Sequence, residues 1–214
     1  MSNEVESAAA AHASLVEQRW DGLETRVSSK LAQIAGLDRG REAQLLAQAA
    51  NAKTATQRVH WLRKGAQAIS DAVAPLAACR KGCSHCCSIS VVISRAEASV
   101  IAKETGRKLN AAAGLAMDFE GDEIDRAREE MTQKYRGEPC VFLESGQCQI
   151  YEHRPLACRL LLNLDEDDLL CQLVPNEEAP RVPYLNTREH EVRALLAFGN
   201  QQYDDIRAWF SEPL

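Results

Sequence analysis

Eight cysteines occur in this 214-residue chain, and all of them fall between Cys79 and Cys171. They read Cys79-x3-Cys83-x2-Cys86-Cys87, followed by the single residues Cys140, Cys148, Cys158 and Cys171. So many thiols in one segment must be bridged to one another, buried one by one, or bound to metal. A disulfide framework needs an oxidising compartment. The opening residues Met1–Glu6 are acidic and lack the basic and apolar regions of an export signal, so the expected location is cytoplasmic. Burial as small hydrophobes would put positions 79, 83, 86 and 87 on one helical face, but Ala, Val or Leu would serve such a core equally well.

Metal binding accounts for the pattern best. Converging thiolates repel unless a cation neutralises them, and each must be presented from a defined turn. Gly82 and Ser84 supply that turn. The Cys83-x2-Cys86 pair reaches one metal across a tight loop, and Cys79 offers a third sulfur one turn earlier. Adjacent side chains in irregular backbone usually diverge, so Cys86 and Cys87 are expected to serve different metals or different edges of one cluster. Eight sulfurs suffice for two four-sulfur sites, or for one site with reactive thiols beside it.

The chain is long enough to bury a core as one domain or two. Aromatic residues make up only 5% of it, so bound metal is expected to replace part of the core around the cysteines. No run of 18 apolar residues exists, and Asp71 interrupts the Ala-rich stretch before the cluster, which argues against a membrane span. Residues 1–78 carry 9 Lys or Arg against 8 Asp or Glu; with a whole-chain charge of −6, residues 79–214 stand at −7. That balance argues against a nucleic-acid partner. The run Asp165-Glu166-Asp167-Asp168 reads as a solvated loop or a helix start.

Apolar residues recur at steps of three and four through Val16, Trp20, Leu23, Val27, Leu31 and Ile34, and again from Ala52 through Val59, Leu62, Ala66, Ile69 and Val73. The spacing predicts two amphipathic helices, separated by Gly36–Gly40 and folded into a hairpin. Their faces are expected to brace the rest of the chain, with a protein partner or self-association as the alternative. Beyond the cluster, Ser88–Ile93 has the alternation of a short strand. Ser94-Arg95-Ala96-Glu97 has the spacing of a capping box, opening a helix toward Gly106. Asp122–Arg136 reads as another helix, ended by Gly137-Glu138-Pro139. The expected fold is mainly α: a helical hairpin over residues 1–78, packed on an irregular cysteine-rich, metal-stapled domain over 79–214 with at most a short β element.

The most specific signature is Pro139-Cys140-Val141-Phe142-Leu143 followed by Gln147-Cys148-Gln149-Ile150-Tyr151-Glu152-His153-Arg154-Pro155-Leu156-Ala157-Cys158-Arg159. With Cys79, Cys83, Cys86 and Cys87 upstream, residues 79–171 resemble the YkgJ family of cysteine-cluster proteins, whose domain is described as zinc- or iron-chelating. The resemblance implies metal ligands at Cys79, Cys83, Cys86, Cys87, Cys140, Cys148, Cys158 and Cys171, with Tyr151, Arg154, Pro155 and Arg159 as accompanying motif residues. Pro155 suits the first turn of a helix, which would place Cys158 where amide dipoles favour a thiolate. Arg154 and Arg159 are candidate cofactor-binding residues, donating to sulfur and offsetting its charge. An ion pair with Glu152 is the competing assignment. Tyr151 reads as a wall, and His85 and His153 as donors just outside the ligand set.

Structural zinc usually shows two close ligand pairs, whereas one tight quartet and four dispersed cysteines suit an iron–sulfur cluster or a two-metal site better. Iron–sulfur is therefore the expected cofactor, with zinc as the alternative. Cys79-x3-Cys83-x2-Cys86 shares the spacing of radical S-adenosylmethionine enzymes, but too little chain follows it for their barrel. The expected function is metal binding with a structural, redox or metal-handling role. Two others stay open: a modifying enzyme, because the resemblance extends to flagellin lysine methylases, and a zinc-stapled interaction module.

Overall fold

The structure, a computed structural model, describes residues 2–116, 123–174, 179–198 and 201–210. Helices dominate it, as the apolar spacing predicts, but their boundaries differ from those expected. The predicted helix through Val16 and Ile34 is divided into α1 (Ser2–Trp20) and α2 (Leu23–Ala35). Gly22 sits between them at φ +70°, a left-handed conformation that glycine adopts without strain. Arg26 then covers the carbonyls that α1 leaves unpaired, donating to Arg19 O at 2.6 Å and Asp21 O at 2.8 Å.

A further helix, α3 (Gly40–Asn51), was not predicted, and α4 runs from Ala55 to Val73. The α4 start is fixed by a capping box. Thr54 Oγ1 accepts from the Gln57 amide at 3.2 Å, and the Gln57 side chain accepts from the Thr54 amide at 3.3 Å. The closely packed hairpin is thus α3 against α4 and not the Val16–Ile34 helix against Ala52–Val73. It closes tightly at Gly65, where a Cβ would stand 2.9 Å from Leu46 Cδ2.

Val59, Leu62, Ala66, Ile69 and Val73 line the inner face of α4 and are buried. Such burial contributes about 1.5–3 kcal/mol for each large aliphatic side chain. They meet Leu156, Leu160, Leu162 and Leu164, so the N-terminal helices and the cysteine-bearing segment share one core. Helix α8 (Arg188–Phe198) joins it through Phe198 and through His190, whose Nε2 lies 2.7 Å from the buried Glu42 carboxylate on α3.

The predicted strand at Ser88–Ile93 starts later, as β1 (Val92–Ser94), because the Asp205 carboxylate takes the Val91 amide at 2.7 Å and the Ser90 hydroxyl at 3.0 Å. Ser94 caps α5 (Arg95–Thr105) as expected, and Gly106 ends it at φ +73°. Glu97 does not complete the reciprocal box. It is buried and accepts from the Leu156 amide at 3.0 Å, with burial raising its pKa.

Strands β2 (Leu115–Ala116) and β5 (Gln202–Asp205) complete an antiparallel sheet in the order β1-β5-β2, with Ser94 and Leu115 both opposite Tyr203. Helix α6 (Glu123–Tyr135) follows β2 as expected, although Asp122 lies outside the described residues. A second ribbon pairs β3 (Leu143–Glu144) with β4 (Gln147–Cys148). Two short helices, α7 (Leu156–Leu160) and α9 (Ile206–Trp209), complete the description. Three large aromatic residues, Phe142, Trp209 and Phe210, are fully buried in a second core beside Cys140, Cys148 and Cys158. Among the described residues no helix is long and apolar enough to cross a membrane.

The acidic run is not simply solvated. Arg19 on α1 bonds Asp165 at 2.9 Å and Asp167 at 2.7 Å, Lys30 on α2 reaches the Asp165 carbonyl at 2.6 Å, and the Asp165 side chain is fully buried. The Arg19 bond also lowers the pKa of Asp167. Arg19→Met leaves the buried Asp165 without its guanidinium, and a loss of about 3 kcal/mol is expected in urea unfolding. A variant as stable as the parent would show that the clasp does not hold α1 in place.

Candidate metal centre

All eight cysteines are free thiols, none fully exposed. Their positions follow from local backbone devices. Gly82 at φ +93° closes the turn in which the Cys83 amide donates to Arg80 O at 3.1 Å, as its place in the sequence predicts. A 3-10 turn over His85–Ser88 then carries Cys86 and Cys87, so the four clustered cysteines do not share an α-helical face. The adjacent Cys86 and Cys87 thiols influence each other: their interaction lowers the pKa of Cys86 and raises that of Cys87, leaving Cys87 to hold the proton.

The four later cysteines return from separate elements. Cys140 donates its amide to Cys87 O at 2.7 Å. Cys148 ends the β3–β4 ribbon, whose Ser145-Gly146 turn has both residues at positive φ, the geometry favoured in two-residue hairpins. Cys158 lies on α7, which Pro155 precedes as N-cap. The dipole expected to favour a thiolate there is outweighed: Cys158 is half-buried, and desolvation of its thiol pushes its pKa well above the usual value. Cys171 ends a 3-10 turn over Leu169–Cys171.

The thiols form one continuous neighbourhood. Desolvation first, and then the charges of Cys79, Cys83 and Cys86, raises the pKa of Cys171; the Cys86 thiol, desolvation and the charges of Cys86, Cys140 and Cys148 raise that of Cys87. A cleft of about 370 Å³ opens onto Cys79, Cys83, Cys86 and Cys158, with Tyr151 and Arg154 in its wall. The Arg154 guanidinium stacks 3.7 Å from the Tyr151 ring centroid, and its charge favours the thiolate at Cys79, Cys86, Cys148 and Cys158. Arg159 is engaged otherwise: it donates to Arg154 O at 2.9 Å, to Glu152 O at 2.5 Å and to the Gln67 side chain, so it meets the Glu152 backbone and not its carboxylate.

His85 Nε2 lies 3.3 Å from Asp168 Oδ2, and ligand atoms of Cys83, His85 and Asp168 all fall within 4.8 Å of one another. His153 instead bonds Glu104 at 3.2 Å.

Three residues at the site escaped sequence reasoning. Asn163 donates its amide to Cys79 Sγ and its side chain to Cys171 Sγ, each at 3.3 Å. Its signal was a lone polar residue inside Leu160–Leu164. Tyr184, paired with Asn163 across an antiparallel bridge, stands beside Cys171, and desolvation of its hydroxyl together with the nearby thiolates pushes its pKa well above the usual range. Arg207 on α9 donates to Cys87 O at 2.9 Å, Ile89 O at 3.2 Å, Glu138 O at 2.6 Å and Pro139 O at 3.2 Å while paired with buried Asp205 at 2.9 Å. One guanidinium thereby joins the backbone of Cys87 to that leading into Cys140.

Residues 78–177 match the family model described as "CxxCxxCC: Putative zinc- or iron-chelating domain". Comparison with curated proteins and with solved structures gave no match. That match supports metal binding by the cysteine-bearing segment.

Arg207→Lys keeps the charge but loses the planar fork that spans four carbonyls. It should lower the thermal midpoint and the metal bound per chain together; unchanged metal content would remove Arg207 from the site. In metal-free protein Cys86 should react with iodoacetamide at lower pH than an ordinary thiol, since the thiolate is the nucleophile. Cys87→Ala should move that pH profile upward, as measured by peptide mass spectrometry.

Proposed function

We propose that this chelating segment holds an iron–sulfur cluster and that the cluster has a redox role. Support comes first from the spread of the sulfurs. Thiolates on a single tetrahedral zinc, at a Zn–S distance of about 2.3 Å, stand only about 3.8 Å from one another. Among the described residues, the close trio of ligand-type atoms within 4.8 Å is Cys83, His85 and Asp168, and it contains one sulfur. A cluster brings its own sulfide and is reached by thiolates standing further apart. The donor set fits such a group: eight free thiols, all from one segment of the chain, with a cleft opening among four of them.

When bound, the cluster supplies one-electron transfer. The chain's own residues then set its surroundings. Arg154 offsets the negative charge that thiolate ligation accumulates. Asn163 donates to the sulfurs of Cys79 and Cys171, which draws electron density from them and favours the reduced state. The cleft gives Cys79, Cys83 and Cys86 an edge open to an electron donor or acceptor. Residues 1–78 brace this arrangement through α4, whose Gln67 holds Arg159.

Protein purified without oxygen should be brown, contain iron and acid-labile sulfide in equal amounts, and bleach on dithionite with a new paramagnetic signal. Cys83→Ser should lose most of that colour. Colourless protein with stoichiometric zinc and no sulfide would overturn the proposal.

A further inference from the structure

We infer that the eight thiols are divided into two neighbouring four-thiol centres, one formed by Cys79, Cys83, Cys86 and Cys171 and the other by Cys87, Cys140, Cys148 and Cys158. The inference rests on the cysteines binding metal, and adds which of them bind together. Separate scaffolds hold the two sets. In the first, Asn163 bonds both Cys79 and Cys171, and the Cys171 amide donates to Asp168 O at 2.9 Å while the Asp168 carboxylate lies beside Cys83. Residues distant in sequence are thereby tied around one point. In the second, the Cys140 amide donates to Cys87 O at 2.7 Å, Arg207 clamps the same two stretches, and Leu143, opposite Cys148, bonds Cys140 O at 2.9 Å.

The apolar surroundings divide in the same way. Cys79 packs against the core of the N-terminal helices, whereas Cys140, Cys148 and Cys158 pack against the core of Phe142, Ile150 and Trp209. Cys86 and Cys87, side by side in one 3-10 turn, stand at the seam where the two sets meet. Cys158 reaches the seam from the second side, since it also lines the cleft. Four thiolates complete either a tetrahedral ion or a cubane, so each set is sufficient by itself.

Wild-type protein, stripped of metal in stages by a chelator and trapped with iodoacetamide, should expose its cysteines in two groups matching these sets, as read by peptide mass spectrometry. Cys171→Ala and Cys140→Ala should each keep about half the wild-type metal and the double variant none. Exposure of all eight together, or complete metal loss from either single variant, would overturn the division. Two zinc ions per chain without sulfide would refute the iron–sulfur proposal yet leave the two sets intact, and wild-type protein that takes up no metal would refute both.

Discussion

Mutual repulsion among thiolates is the constraint around which the rest of the molecule is arranged. Eight sulfurs gather where the chain has little net positive charge to spend on them, residues 79–214 standing at −7 by formal count. Such a gathering persists only if the backbone under each sulfur is held from outside. Arg154 sits among the thiols, Arg207 locks the carbonyls beneath Cys87 and Cys140, and Asn163 bonds two sulfurs directly. The buried aromatics complete the support: Phe142 packs edge-on against Phe210 with ring centroids 5.0 Å apart, under the second set of cysteines. Phe142, Trp209 and Phe210 give Cys140, Cys148 and Cys158 an apolar floor.

What was legible in the sequence was local. The turn at Gly82, the Ser94 cap and the Gly106 stop each depend on neighbours within a few positions, and turn chemistry reports such neighbours directly. Helix periodicity was legible too, though not the break at Gly22, since the apolar steps continue across it. The Ala-rich α3 was overlooked because it is short and only Leu46 and Ala49 of its apolar residues are buried. Hidden altogether were contacts between distant residues: Asn163 and Cys79 are separated by 84 positions, Arg207 and Cys87 by 120, and Arg19 and Asp165 by 146. No spacing rule links such pairs. An acidic run therefore passed for solvated surface, and Arg207 drew no notice at all.

The N-terminal helices contribute more to the site than bulk. Helix α4 packs on α7, which bears Cys158, and Gln67 holds the arginine that follows that cysteine. Glu97 ties the start of α7 to α5 by one buried hydrogen bond. The orientation of α7 is thus determined from two sides, by an apolar face and by a carboxylate, and neither lies within the cysteine motif itself.

The two-residue turn at Ser145-Gly146 carries a consequence for how chains of this kind can vary. Along a β-ribbon successive side chains alternate between faces. A one-residue insertion that slid Cys148 a step along the ribbon would swing its sulfur to the opposite side. On the division inferred above, that would leave its three companions a ligand short, and the spacing from Cys140 to Cys148 would be as much a component of that centre as the sulfurs it separates.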